Sequence, residues 1–525
     1  MTDRFYVGRA WNPVSGRTGE AVYFDLDKIP HMTLLGTTGC GKGATIEIPN
    51  LLMDGLKQVN VISVDPTGQN ACVTQRWRSN FSDVAFLNPH GLHDLPDTGC
   101  NPMLSVETFE DAMAVGETFQ EVSPDAREPF WPESTQKLIG GVVLGVVRIA
   151  RARKETPTPE RVCKILMTGI EGFASFMAQN GDHQLAGLLA RYEAKEGGQS
   201  NRTIESIKQI GYNAATWLLS DAMRKSLSVD KGIDWAQLKH GARPLTVYLI
   251  LAADKLGPST GAPWLRLMVV SALNTLYRLG GGGRKTLFML SEFAALGRVQ
   301  PVISGLGQGR KYGVRFAPMV LQDSGQLEAV YGKAAATTVI GNSGSLLTFA
   351  PAPADNDTAE FLSKAAGTHW VSEPSASDDP HGGPTRLNYG MHEERVWKPD
   401  MVKSLPEFHG LVWLSGNARP TPVYCAPYFT GELDRLIGGR YDPDPYHPAG
   451  ASPQRRQAGK ATRFVAVAAA VIAGGIWLSH SFGHHDRPSA GASPVARIDQ
   501  APLTNARPNS LPRVSPPDHR PVTRH

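Results

Sequence analysis

The feature that most narrows the possible folds is one run near the start of the chain: "HMTLL", "GTTGCGKG", "ATIEIPNLLMDGL", "VNVISVD". Residues 31–35 are a short apolar run, and residues 59–65 are apolar and β-branched, as in a buried strand. Between them glycines interrupt the chain and a helical stretch follows, with Pro49 expected to kink it. Strand, glycine loop, helix and strand make a βαβ unit, whose strands join a parallel sheet covered on both faces. Within the loop, Gly36, Gly41 and Lys42 fit the pattern G-x-x-x-x-G-K. Between a strand and a helix, such a loop turns backbone N–H groups toward a polyphosphate, and its lysine reaches the outer oxygens. The candidate cradle is Gly36, Thr37, Thr38, Gly39, Cys40, Gly41, Lys42, Gly43 and Ala44, weighed against an ordinary glycine-rich turn. The Ser/Thr hydroxyl that usually follows the lysine and serves magnesium is missing. Gly43 stands there, and Thr45 comes two positions later.

Further strand-like runs are "PLTVYLILA" (244–252), "TLFMLSEF" (286–293), "VRFAPMVLQD" (314–323) and "GSLLTFAP" (344–351). Glycines 280–283 read as a flexible loop, and 372–385, rich in Ser, Asp, Pro and Gly, as an exposed one. The resulting expectation is an α/β protein: a RecA-like P-loop domain with a mostly parallel central sheet. Its first part is 1–107 and its second 231–440, with an all-α insertion at 108–230, where long stretches are helically periodic and poor in strands. A linker at 441–462, a transmembrane helix at 463–482 and a disordered Pro/Arg-rich tail at 483–525 complete the organisation.

The apolar segment from Phe464 to Leu478 is ~22 Å of helix, and extension to Phe482 brings it to ~28 Å, near the ~30 Å of a hydrocarbon core. Arg455, Arg456, Lys460 and Arg463 precede it, which keeps the body on the cytoplasmic side. The start, "MTDRFYVGRAWNPVSG", lacks the apolar core of a signal peptide. A formal net charge of +4 argues against a DNA-coating protein and leaves room for a local basic channel. Cys40, Cys72, Cys100, Cys163 and Cys425 are scattered, without C-x-x-C spacing, which excludes a disulfide framework or zinc site and suits a reduced compartment.

Glu292 ends an apolar strand, at the edge where parallel α/β sheets bind ligands, and a carboxylate there can orient and deprotonate water. Alone it would read as a solvated strand-end glutamate. It is not alone. "GTTGCGKGATIEIPNLL", "VISVDPTGQN", "TVYLIL", "SEFAALGR", "GQGRKYGVRF", "LQDSGQLEAVYG" and "SLPEFHGLVWLSGNARP" occur in that order over roughly residues 6 to 430. Together they resemble the TraG-type coupling proteins of conjugation and type IV secretion, within the FtsK/HerA group of P-loop ATPases. The resemblance implies ATP and Mg2+ as cofactors, Lys42 on the phosphates, Glu292 as the water-activating base and Gln322 as sensor of the γ-phosphate. It implies Arg310 as an arginine finger reaching a neighbouring subunit's site, hence a ring, in this family a homo-hexamer. Structural roles for Gln322, as a satisfied amide, and for Arg310, as a surface arginine, stand beside these. The implied partners are single-stranded DNA with bound relaxase and the type IV secretion channel components of the bacterial inner membrane.

Three departures stand out. The family's two N-terminal transmembrane helices do not occur in this sequence, which carries a single C-terminal segment instead. The strand-two motif, usually Asp-Pro-Lys-Gly-Glu, reads Asp65-Pro66-Thr67-Gly68-Gln69. The magnesium aspartate is replaced by Ser291, which would act on the ion only through water, with Asp65 as a candidate to supply the missing charge. The implied function is a membrane-associated coupling ATPase that recruits relaxase-bound single-stranded DNA to the channel and drives its transfer by ATP hydrolysis, with protein cargo left open. The alternative is a nucleotide-binding substrate receptor with little hydrolysis. A helicase unrelated to secretion is disfavoured by the C-terminal span. From sequence alone, Ser291→Asp is expected to raise a weakened turnover.

Overall fold

The computed structural model describes residues 3–123, 126–193, 202–257, 259–377 and 386–447. Its strands are β1 (Arg4–Trp11), β2 (Thr18–Asp25), β3 (His31–Leu35), β4 (Asn60–Val64), β5 (Asp83–Leu87), β6 (Leu245–Leu249) and β7 (Thr286–Leu290). They continue with β8 (Val314–Leu321), β9 (Ser345–Thr348), β10 (Thr368–Ser377), β11 (Arg386–Arg395), β12 (His409–Leu414) and β13 (Thr421–Tyr424). Eleven of them form one sheet in the order β2-β1-β13-β12-β9-β3-β8-β7-β4-β6-β5. From β9 to β5 every pairing is parallel, and from β9 outward to β2 every pairing is antiparallel. Every residue of β3, β4, β6, β7 and β8 is buried. That follows from their mostly apolar sequence, because a central parallel strand is covered on both faces.

Between β5 and β6 the described residues contain no strand. Helices occupy Phe109–Phe119, Phe130–Ala152, Pro159–Thr168, Phe173–Gln179, His183–Leu189, Arg202–Ala215 and Asp221–Leu227. The first begins at a capping box, in which Thr108 accepts from the Asp111 N–H while the Asp111 carboxylate accepts from the Thr108 N–H. Val142 and Val146 of the long second helix belong to the same apolar cluster as Ile62 of β4 and Leu249 of β6. The helical segment therefore shares a continuous core with the sheet.

Three details differ from the sequence expectations. The helix after the glycine loop is not one α-helix: Gly43–Glu47 is a π turn, Ile48–Leu52 is α-helical and Asp54–Leu56 is a 3-10 turn. Pro49 sits just after the π turn, where the wider helix relieves the contact of its ring with the preceding turn. Residues 372–377 are not loop but the end of β10, paired antiparallel with β11 from Thr368↔Arg395 to Ser377↔Arg386. A polar sequence does not stop a backbone ladder. Residues 378–385 lie outside the described residues. Residues 441–447, read as linker, stay attached to the body: Tyr428 Oη and Gln69 Nε2 both donate to Asp444, and Tyr446 Oη donates to the Thr67 carbonyl. The apolar segment 463–482 also lies outside the described residues, among which no helix is long and apolar enough to cross a membrane.

Candidate functional site

The parallel strands end on one edge, and four neighbours there, β3, β8, β7 and β4, carry the predicted site residues. The glycine loop leaves β3 at Gly36, whose N–H donates to the Leu321 carbonyl at the end of β8 at 3.0 Å. Gly39 and Gly41 hold φ of +84° and +86°, a left-handed pair that side chains disfavour. A Cβ on Gly41 would also stand 2.9 Å from the Phe408 ring. Lys42 arches back over the loop, donating from Nζ to the carbonyls of Gly36 and Thr37 at 2.6 and 2.9 Å. Thr45, the nearest hydroxyl to the vacant Ser/Thr position, is fully buried and donates to the Gly41 carbonyl at 2.9 Å. Its proton is committed to the helix backbone.

At the end of β7, Ser291 Oγ donates to Glu47 Oε2 at 2.7 Å, and Asn70 Nδ2 donates to the same oxygen at 2.7 Å. Glu47 comes from the helix that starts at the glycine loop and is only 4% exposed. Burial pushes its carboxyl up, while the bonds from Asn70 and Ser291 and the charge of Lys42 pull against that. Glu292 is half-buried and its carboxylate makes no hydrogen bond to a described residue. Burial raises it too, and Lys42 opposes. Raised carboxyls beside a lysine at a strand-end edge are what a general base needs.

Asp65, at the end of β4, is buried, and its Oδ2 accepts from the Ala71 N–H at 2.8 Å, in the first turn of the helix Gln69–Ser79. Burial, with the charge of Glu47 adding, pushes its carboxyl up to about 7. The carboxylate thus serves a helix start. Gln322 follows β8. Its N–H donates to Gln326 Oε1, and its side chain lines a cavity of about 1010 Å³ together with Thr37, Thr38, Asp323, Thr337 and Thr358. Lys42, Ser291 and Glu292 are not among the cavity walls. The cavity meets the glycine loop only at Thr37 and Thr38, so its outline is a guide to access rather than to the chemistry.

Arg310 is elsewhere. It is exposed on the turn Gly309–Tyr312 that leads into β8, whereas Gln322 leaves the other end of that strand. Eight strand residues span roughly 26 Å at ~3.3 Å each, so Arg310 lies at the opposite edge from its own glycine loop. The structure brings together the loop, Ser291, Glu292, Gln322 and Asp65, and leaves Arg310 apart. It adds Glu47, which the sequence reading missed. The signal was there: a lone carboxylate between Ile46 and Ile48, both fully buried.

The family model for type IV secretory system conjugative DNA transfer matches residues 3–434. This chain belongs to that family. The conjugal transfer protein TraG of Agrobacterium fabrum is 26% identical over 416 residues, which cover 75% of this chain and 59% of that protein. Protein VirD4 of Rhizobium radiobacter is 23% identical over 461 residues, covering 83% of this chain and 64% of that one. The chain thus spans less than two thirds of the length of these relatives. Among solved structures, the unbound bacterial conjugative coupling protein TrwB, in a form named TrwBdeltaN70, shares the fold. Its TM-score is 0.61 at 17% identity, with 80% of this chain and 89% of that one covered. A likeness in fold at that identity extends to the sheet and its connections. The roles of individual residues rest on their own geometry.

Proposed function

We propose that this member of the family is a coupling ATPase, which uses ATP to drive relaxase-bound single-stranded DNA into a type IV secretion channel. The observation that carries the reading is the convergence of Lys42, Glu292 and Gln322 on neighbouring strand ends, in a chain of the conjugative DNA-transfer family. TrwB has been solved with ADP and Mg2+ and with a non-hydrolysable ATP analogue, and this chain shares its fold.

The residues present fit such a ligand. A left-handed glycine pair running into a helix start makes an anion-binding nest, and Lys42 adds a mobile cation. Among the described residues no group of three or more His, Cys, Asp and Glu could hold a metal by itself. That suits Mg2+, which arrives on phosphate oxygens, keeps several waters and asks the protein for one or two donors. Bound there, Mg2+·ATP supplies a transferable γ-phosphoryl group and the charge that steadies it. Lys42 holds the outer phosphate oxygens, and Glu292 orients a water and takes its proton. Gln322 hydrogen-bonds the terminal phosphate. Arg310, too far from its own loop, serves the site of the next subunit in a homo-hexameric ring. The segment 463–482 anchors the assembly in the inner membrane by a single pass, which resistance of the full chain to carbonate extraction would test.

The deciding experiment is ATP turnover by the full chain, with and without single-stranded DNA. Turnover stimulated by DNA supports the coupling ATPase. Nucleotide binding without turnover under either condition supports the second reading, a substrate receptor, which the uncharged Ser291 favours.

A further inference from the structure

Position 291 lacks a charge, yet a carboxylate touches it. Glu47 reaches the Ser291 hydroxyl across 244 positions of sequence, from the very helix that the glycine loop begins. Its placement is not what core packing would select. Residues 45 to 48 are all buried, Ile46 and Ile48 are fully so, and a carboxylate in such company must be held by donors to be tolerated. Two donors hold it, Asn70 Nδ2 and Ser291 Oγ, both at 2.7 Å and both on Oε2. Oε1 takes part in neither bond. Asn70 is itself buried and also lies 3.4 Å from Ser63 Oγ, so the carboxylate is braced from the helix that follows β4.

The hydrogen-bond direction matters. A serine hydroxyl has one proton and two lone pairs, and it serves as donor or acceptor according to its neighbours. Here the proton is spent on Glu47, so toward the cleft Ser291 can only accept. A hydroxyl fixed as an acceptor and polarised by a carboxylate is what a magnesium-bound water, with its outward protons, requires.

We propose that Glu47 is a positioning residue that acts through Ser291: the carboxylate missing at the end of β7 is supplied from the phosphate-loop helix, and the two residues work as one unit toward the nucleotide's magnesium. The inference rests on the nucleotide reading above and deepens it. It also reverses the outcome expected from sequence alone. Ser291→Asp in the otherwise unchanged chain sets two carboxylates against each other in a buried site, and weakens the site instead of repairing it. Repair requires Glu47→Gln together with Ser291→Asp, which returns one carboxylate and one neutral hydrogen-bonding group in exchanged positions.

The test is the affinity of the full chain for a fluorescent ADP, measured in EDTA and in Mg2+, so that the metal-dependent gain in affinity is read apart from turnover. Loss of a group supporting a metal ligand typically costs about 10–100-fold. Glu47→Gln and Ser291→Ala are each expected to remove a gain of that size, leaving affinity in EDTA unchanged. The double variant Glu47→Gln/Ser291→Ala should be no worse than either single one, because both break the same unit. Glu47→Gln/Ser291→Asp should regain most of the loss. If Glu47→Gln fails to fold, Ser291→Ala, which leaves Glu47 its bond from Asn70, must show the loss by itself. A magnesium-dependent gain indifferent to positions 47 and 291 overturns the pairing while the nucleotide reading stands. A wild-type chain that binds no nucleotide in either condition overturns both.

Discussion

The two edges of the parallel sheet treat their charged side chains in opposite ways. At the edge where strands begin, charges are matched. Lys285 donates to Asp3 and Asp27 at 2.6 and 2.7 Å, and Arg315, nearly buried, donates to the Leu26 carbonyl and to Asp27. Arg284 donates to three successive carbonyls, those of residues 241 to 243. Asp27 is accordingly held below the usual carboxylate range, by Lys285 first. At the edge where strands end, Glu47, Asp65 and Glu292 are all raised by burial, and Lys42 has only backbone carbonyls as hydrogen-bond partners. Matched charges hold a fold together. Carboxyls kept above their ordinary range beside a lysine are a cost to the fold, and such costs gather where a ligand is handled.

Arg310 breaks this pattern, and it offers the strongest test. It belongs to the matched edge, yet its guanidinium has no hydrogen bond or ion pair among the described residues. If it completes the site of a neighbouring subunit, Arg310→Ala should cut turnover by about 10³-fold or more while nucleotide affinity holds. Mixing Arg310→Ala with Lys42→Ala subunits should restore part of the activity, because one variant keeps its loop and the other its arginine. Normal turnover by Arg310→Ala, or mixtures as inactive as the parents, would return Arg310 to the surface of a structural edge.

Next in size, Glu292→Gln should lower turnover about 10²–10⁴-fold and leave nucleotide affinity within about twofold, as expected for loss of a general base. A parallel loss of affinity would mean that this carboxylate binds rather than acts. Lys42→Ala should weaken ATP binding about 10²-fold, the worth of two charge-assisted hydrogen bonds, in a chain whose circular dichroism is unchanged. Unaltered affinity would remove the phosphate site altogether.

The smallest effect is a difference in sign between the edges. Asp27, depressed in the folded state, lends stability that is present above its ordinary value and lost as pH falls through the folded one. Much of its carboxylate is solvated, so this amounts to less than about 1 kcal/mol. Asp65 does the reverse. Between its ordinary 3.8 and about 7 the unfolded chain has released a proton that the folded chain retains, so stability falls as pH rises across that window. Asp65→Asn keeps an oxygen for the Ala71 N–H and should flatten the decline between pH 4 and 7, by about 1–3 kcal/mol, read from urea midpoints. A decline as steep as that of the wild type would place the cost on other groups.

Much of this arrangement could be read from the chain. The parallel strands β3, β4, β6, β7, β8 and β9 were legible because burial on both faces writes itself as a mostly apolar run. The glycine loop was legible because left-handed turns leave glycine behind. The antiparallel side was not. In β2 most residues are exposed, and in the separate two-stranded sheet β10 and β11 pair through their backbones with polar sequences, so composition carries little signal in either. Ser291, which sequence analysis treated as a defect, donates its hydroxyl to the Glu47 carboxyl, a contact that nothing near it in the chain announces.

The sequence by itself determined most of the parallel strands, the glycine loop and the strand end that bears Glu292, since each depends on residues close together in the chain. Only the tertiary structure decided that Thr45 turns back to its helix, that Asp65 caps the next one and that Arg310 lies beyond reach of its own loop. It alone decided that Ser291 meets the carboxyl of Glu47. A hydrogen bond between residues 47 and 291 leaves no period or spacing in the sequence, and comes into being only when β7 and the helix after the glycine loop are folded against each other.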